Sequence, residues 1–197
     1  MGFKVKPGDE IHYGKTLLSR EKLIYVLLNK PKDFITTTDD PQERKTVMQL
    51  VDKACTERIY PVGRLDRNTT GVLLLTNDGE LSKKLTHPSH EITKVYQVEL
   101  NKPIEKEHFE KIKEGVELED GPVKVDEIAT LDPDGIALGV EIHTGRNRIV
   151  RRIFESFGYE VLKLDRVLFA GLTKKDLPRG KWRFLKDKEI HRLKMLK

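Results

Sequence analysis

The densest chemistry in this 197-residue chain lies in one short loop, where Asp66 stands between Arg64 and Arg67 and glycines at 63 and 71 bound the segment. A carboxylate flanked by two guanidinium groups, on a turn-rich loop opening into the apolar run Val72 to Leu75, can be held ionised beside a bound anion. Taken alone, such an aspartate is as often an Asx-turn acceptor or half of a surface ion pair. A second concentration is Arg146, Arg148, Arg151 and Arg152, a dense fork of donors suited to phosphates and carboxylates. His87 and His90 stand three apart with no cysteine or third histidine in reach of the pattern, so no metal site is expected.

Charge along the chain agrees with a polyanionic partner. Net charge is +5, but residues 145 to 197 carry sixteen Lys/Arg against six Asp/Glu, while residues 101 to 135 carry five against eleven. The basic quarter predicts a face that meets nucleic acid, and the acidic stretch predicts one turned away from it. The longest strongly apolar runs are five or six residues, far short of the ~18 of a membrane span. One cysteine, Cys55, and no signal-peptide pattern predict a reducing, cytoplasmic compartment.

The elements that must hold these residues read as α+β. Residues 23 to 30 form a buried strand stopped by Pro31, 46 to 53 a short helix, and 63 to 71 a loop between a strand ending at Ile59-Tyr60 and the run from Val72. Asn77-Asp78-Gly79 caps a helix with Leu81 and Leu85 on its apolar side, ending before Pro88. Residues 93 to 100 alternate as a strand, and 104 to 114 are helical up to Gly115. Residues 123 to 131 and 136 to 142 pair as a hairpin around Asp132-Pro133-Asp134-Gly135. The helix from Asn147 to Phe157 carries Val150, Ile153, Phe154 and Phe157 on its apolar stripe and Arg148, Arg151 and Arg152 on the other side. A strand over 159 to 170 and a terminal helix from Asp187 complete a set of mostly antiparallel elements.

The loop residues GRLDRNTTGVLLLTNDGEL resemble the catalytic-loop motif of pseudouridine synthases, in the branch that modifies ribosomal RNA and is typified by the small-subunit enzyme and by the B, E and F enzymes of the large ribosomal subunit. Leu28-Asn29-Lys30-Pro31 with Thr36-Thr37-Thr38 and Asp40 resembles the opening of the same domain. Lys94-Val95-Tyr96-Gln97-Val98 resembles its second motif, residues 145 to 154 its arginine-rich helix, and Gly180-Lys181-Trp182-Arg183 the segment near its end. The likeness runs from about Lys22 to Leu196. Ile149 departs from it, standing where members commonly carry glutamine. Residues 116 to 121 and His87-Pro88-Ser89 look most like the B type among the enzymes that act on the large ribosomal subunit.

The resemblance implies a pseudouridine synthase fold, a mixed and mostly antiparallel central sheet flanked by helices with an active-site cleft, over residues 21 to 197. Only Val5 to Ile11 is similar to the closing strand of the S4-like RNA-binding domain that members usually carry, so residues 1 to 20 are expected to be its tail and a linker. The implied reaction breaks the N1 to C1′ bond of a uridine, turns the uracil and rejoins it through C5, with no cofactor. Asp66 matches the catalytic aspartate, Arg151 the basic residue that pairs with it, and Tyr96 the aromatic that stacks on the flipped base. Phosphate contacts are expected from Arg64, Arg67, Lys94, Arg146, Arg148 and Arg152 and, in the basic tail, from Lys174 and Lys175. The implied partner is ribosomal RNA or a pre-ribosomal particle, met by a monomer with no membrane and no small-molecule cofactor. A ribosome-assembly factor that binds RNA without catalysis is the other reading the basic face allows.

Overall fold

The computed structural model describes residues 11–14, 16–18 and 21–196. In chain order the elements are β1 (Ile11–Tyr13), β2 (Thr16–Leu18), β3 (Tyr25–Lys30), α1 (Met48–Val51), β4 (Tyr60–Pro61), β5 (Thr69–Thr76), α2 (Gly79–Thr86), β6 (Lys94–Leu100), α3 (Lys106–Glu114), β7 (Val116–Leu118), β8 (Gly121–Val123), β9 (Glu127–Thr130), β10 (Ala137–Ile142), α4 (Ile149–Glu155), β11 (Val161–Phe169), β12 (Leu172–Thr173), β13 (Trp182–Phe184) and α5 (Asp187–Met195). The S4-like likeness over Val5 to Ile11 falls almost wholly outside the described residues.

One large mixed sheet organises the chain in the order β13-β3-β5-β11-β6-β10-β9, with β4 on β5 and β12 on β11. Only β5 and β11 run parallel within it, at its centre; the other pairs are antiparallel. β5 is apolar at successive positions because both of its faces are covered. Leu27, Val72 and Leu74 point into a core with Leu81 and Leu85 of α2 and Leu193 of α5. Val26, Leu28, Leu73 and Leu75 point the other way, onto Val47 and Val51 beside α1. A third core lies under β6 and β10 and takes the apolar side of α4. As its sequence predicts, α2 starts at Asp78, whose carboxylate accepts from the Leu81 amide at 3.0 Å.

Three expectations need correction. Residues 123 to 131 are not one strand: Val123 closes the small β7–β8 hairpin, and the ladder with β10 begins only at Glu127. Arg151 is not on the exposed side of α4. It is 7% exposed and buried together with Ile149, Val150, Ile153 and Phe154, because a two-turn helix wedged against the sheet has little surface left for solvent. Nor is the acidic stretch turned away from the basic one. Asp120 accepts from Arg152 at 2.5 and 3.0 Å, and Arg146 donates to the Asp120, Gly121 and Pro122 carbonyls, since β7–β8 folds back beside the start of α4.

Candidate active site

Asp66 sits in the loop that joins β4 to β5, half-buried, with the backbone held from several sides. The loop enters on the Val62 amide, which donates to Leu74 at 2.8 Å, and turns on the Thr69 amide, which donates to the Asp66 carbonyl at 3.0 Å. The Thr36 hydroxyl donates to the Leu65 carbonyl at 2.8 Å, and the Asp33 amide donates to the Arg67 carbonyl at 2.9 Å. The strongest tether is Lys30. Wholly buried at the end of β3, its ammonium lies 2.8 to 3.3 Å from the carbonyl oxygens of Pro31, Asp66, Arg67 and Thr69. One charge thus gathers the carbonyls of the loop, and Asp66 lines the cleft beside them.

The loop forms one wall of a cleft of about 900 Å³, with the start of β6 and the segment from His143 to Val150 as the others. Tyr96 stands half-buried in it, packed against both the core under β10 and the core behind β3 and β5. Arg64 and Arg67 lie exposed at the rim, Arg67 in a surface pair with Asp33 at 3.4 Å. Arg146 and Arg148 also line the cleft. Arg148 caps α4 in a left-handed conformation, with φ 47°, and reaches Glu155 at 3.3 Å. Lys94 lines it too, but its ammonium is turned onto the Ile92 and His143 carbonyls.

Arg151 lies behind the cleft wall. Its guanidinium donates to the Val161 carbonyl at 2.7 Å, and its Nε is buried without a partner. Burial, then Arg148, lowers its pKa, while Asp66 favours its charge across the gap. No ion pair within contact distance joins the two side chains, so the expected pairing is an electrostatic proximity in this state of the cleft. Arg152, Lys174 and Lys175 do not line the cleft. The Lys174 ammonium rests on the Asp165 carboxylate, which also accepts from Arg179 and from Thr70 at 2.8 Å, so Lys174 is part of a network under β5 and not a free phosphate ligand. Ile149, at the position where glutamine is common, is buried and packed into the core beneath the cleft.

Sequence reasoning gave no role to Lys30 or to Arg166, which also lines the cleft. A lysine ending an otherwise apolar strand was the only available signal for the first. Among the described residues no group of three His, Cys, Asp or Glu could hold a metal ion, and no helix is long and apolar enough to cross a membrane.

Likeness to known proteins shows the family. Residues 24–156 match the family model described as RNA pseudouridylate synthase. The chain belongs to that family. This pseudouridine synthase is 41% identical over its whole length to the ribosomal large subunit pseudouridine synthase B of Bacillus subtilis, 82% of which is covered. It is 37% identical to an uncharacterized RNA pseudouridine synthase of Aquifex aeolicus, over 98% of this chain and 79% of that one. A pseudouridylate synthase crystal structure superposes with a TM-score of 0.80 at 32% identity, covering 97% of this chain and 83% of the other. The expected α+β pseudouridine synthase fold and isomerase activity are therefore those of this chain.

One buried and one half-buried lysine at the site are expected to make stability and turnover depend on pH in the alkaline range. Burial pushes the ammonium groups of Lys30 and Lys94 from 10.5 down to about 8, against the pull of Asp66 on Lys30 and of Asp126 on Lys94. Between about 8 and 10.5 the unfolded chain therefore binds more protons than the folded one, and stability against urea is expected to rise with pH in that window. Turnover is expected to move the opposite way, because the neutral Lys30 amine tethers the loop carbonyls less strongly. Urea midpoints and initial rates at about pH 7.5 and about pH 9.5 check both directions; a midpoint that falls over this interval contradicts the assignment.

Proposed function

We propose that this synthase isomerises a specific uridine of ribosomal RNA, in the large subunit, with Asp66 as the catalytic carboxylate. The observation that carries the reading is the placement of Asp66: its backbone is tethered by Lys30, and it lines the same cleft as Tyr96. The name of the Bacillus subtilis relative supports the choice of RNA.

In this reading a stacked uridine is drawn out of the RNA at an unstacking cost of a few kcal/mol, offset by phosphate contacts at the rim. Tyr96 stacks on the extruded uracil. Asp66, ionised, acts at the ribose as the N1 to C1′ bond breaks and its electron pair leaves with the uracil. The uracil turns, C5 bonds to C1′, the proton on C5 leaves to a base, and N1, which kept the electron pair of the broken bond, takes up a proton in its place. Atoms and electrons balance within the nucleotide, so neither cofactor nor energy source enters. Arg151, behind the wall, is the basic counterpart of Asp66 in this reading and acts across the gap, not through an ion pair. The same reading takes the synthase as a monomer working in the cytoplasm on ribosomal RNA or a pre-ribosomal particle. Residues 21 to 197 form the catalytic unit and residues 1 to 20 a tail and linker.

Tritium release from C5-labelled uridine in large-subunit rRNA fragments tests the reading. Release without added nucleotide or metal, with pseudouridine mapped to one position, is the expected result. Binding without release from any fragment or pre-ribosomal particle would favour an assembly factor.

The rim and the tail make different contributions. Arg64→Ala removes an exposed guanidinium at the cleft mouth and is expected to lower the salt slope of RNA binding by about 0.7 units. Lys174→Ala instead takes one donor from Asp165, so the slope is expected to hold while stability drops by about 1 kcal/mol. Binding titrations across a salt series, beside urea melts, separate the two; a reduced slope for Lys174→Ala would return it to the phosphate contacts.

A further inference from the structure

Arg166 is a buried cation that the reaction as described leaves without a task. It sits on β11 at the centre of the sheet and is 3% exposed. Taking a guanidinium out of water costs several kcal/mol unless an anion and further hydrogen bonds compensate. Arg166 has little of either. Its Nε donates to the Val72 carbonyl at 2.8 Å, its plane lies over the Phe169 ring at 4.6 Å, and its Nη2 is buried with no partner. Burial lowers its pKa, and the side chain that favours its charge is Tyr96.

The sheet explains that relation. In the register of β6 with β11, Tyr96 stands directly opposite Arg166. Directly opposed residues project on the same face with their side chains in contact range. Both line the cleft, Arg166 deeper and Tyr96 half-exposed above it. Lys94 shares that face two residues earlier, yet its ammonium is bound to carbonyls, and its own pKa is lowered first by burial and then by the charge of Arg166. Arg166 itself cannot swing away, because the Val72 carbonyl holds its Nε and Phe169 backs its plane. The phenol therefore meets a fixed donor at the floor of the cleft.

We propose that Arg166 is the positioning residue for Tyr96: anchored on Val72 and Phe169, it holds the phenol oxygen from beneath and sets the depth and tilt of the ring against the extruded uracil. This rests on the reading of Tyr96 as the stacking residue. It explains why a costly desolvated charge lies under an aromatic ring and not beside a carboxylate.

The contact can be tested apart from catalysis. With 13Cζ-labelled tyrosine, the Tyr96 resonance, identified by its loss in Tyr96→Phe, is expected to shift in free Arg166→Met and to shift less in Arg166→Lys. An unmoved resonance overturns the proposal whatever the substrate proves to be. Kinetics then test the consequence on an rRNA fragment the wild type modifies. Arg166→Met is expected to lower kcat about 30-fold with KM within about twofold, and Arg166→Lys to recover part of the loss. In a Tyr96→Phe background, which lacks the phenol oxygen, the same Arg166→Met change is expected to cost less than about threefold. Equal losses in both backgrounds would show that Arg166 acts apart from Tyr96 and overturn the proposal. If Arg166→Met does not fold, Arg166→Lys carries both measurements in the same two backgrounds. A wild type that releases no tritium while the resonance still moves would defeat the functional reading and leave the contact standing.

Discussion

Asp66→Asn is expected to abolish pseudouridine formation, lowering turnover by more than about a thousandfold, while RNA affinity stays within about twofold. The side chain keeps its size and loses only the anion. The hydrogen bonds that hold the loop use the Asp66 carbonyl and not its carboxylate, which only helps to keep the Lys30 ammonium charged: Lys30 binds the Asp66 carbonyl, the Thr69 amide binds the same oxygen, and Thr36 binds Leu65. In the proposed reading the phosphate contacts at the rim come from other residues, Arg64 and Arg67 among them, both of which line the cleft. Affinity and chemistry are therefore separable at this position. Single-turnover tritium release beside a filter-binding isotherm checks both halves. Affinity collapsing together with turnover would mean that the carboxylate holds structure and that another residue acts on the ribose.

Gly71→Ala is expected to be the most damaging single-methyl change near the site. Gly71 has φ +110°, a region L residues rarely adopt, and it faces Arg166 across the parallel β5–β11 ladder. A Cβ built there would lie 2.1 Å from the Arg166 carbonyl oxygen and 2.7 Å from its amide nitrogen. Backbone cannot step aside as a flexible side-chain tip can, so the two central strands have to part. Strain and overpacking together are expected to cost about 3 to 5 kcal/mol. The displacement also reaches the chemistry from both sides, because β5 carries the Asp66 loop at its start and β11 carries Arg166. Urea melts are expected to show the loss, and the fraction still folded is expected to be slow in tritium release. Gly63→Ala is the control: that glycine also has positive φ, 73°, but its Cβ would meet only the Thr86 methyl at 3.7 Å, so strain acts there without collision. Equal stability of Gly71→Ala and wild type would mean that the central strands tolerate separation.

Local pattern alone located most of the scaffold. Pro31 ends β3, Asp78 caps α2, the Asp132 to Gly135 turn joins β9 to β10, and Gly158 follows α4 with φ 76°. Each is decided by backbone preference or periodicity within a few residues, which is why each can be read in one dimension. The Asp66 loop was legible for the same reason, as a glycine-bounded polar segment between apolar runs, and so was Tyr96 as a strand residue, while its place beside the loop came only from the family resemblance.

The placement of charge was decided by the tertiary structure. Spacing along α4 puts Arg151 beside Arg152, and only the packing of a short helix against β11 sends one inward to the Val161 carbonyl and the other out to Asp120. Lys30 and Arg166 look like ordinary strand charges until their acceptors are known, and those, Pro31 apart, lie 36 to 94 residues away along the chain. A basic tail and an acidic middle likewise suggest opposite faces, yet Asp120 meets Arg146 and Arg152 because a hairpin folds back over them. Burying a charge is costly unless distant carbonyls, rings or carboxylates converge on it. That convergence is a property of strand order and register, and no local window of sequence contains it.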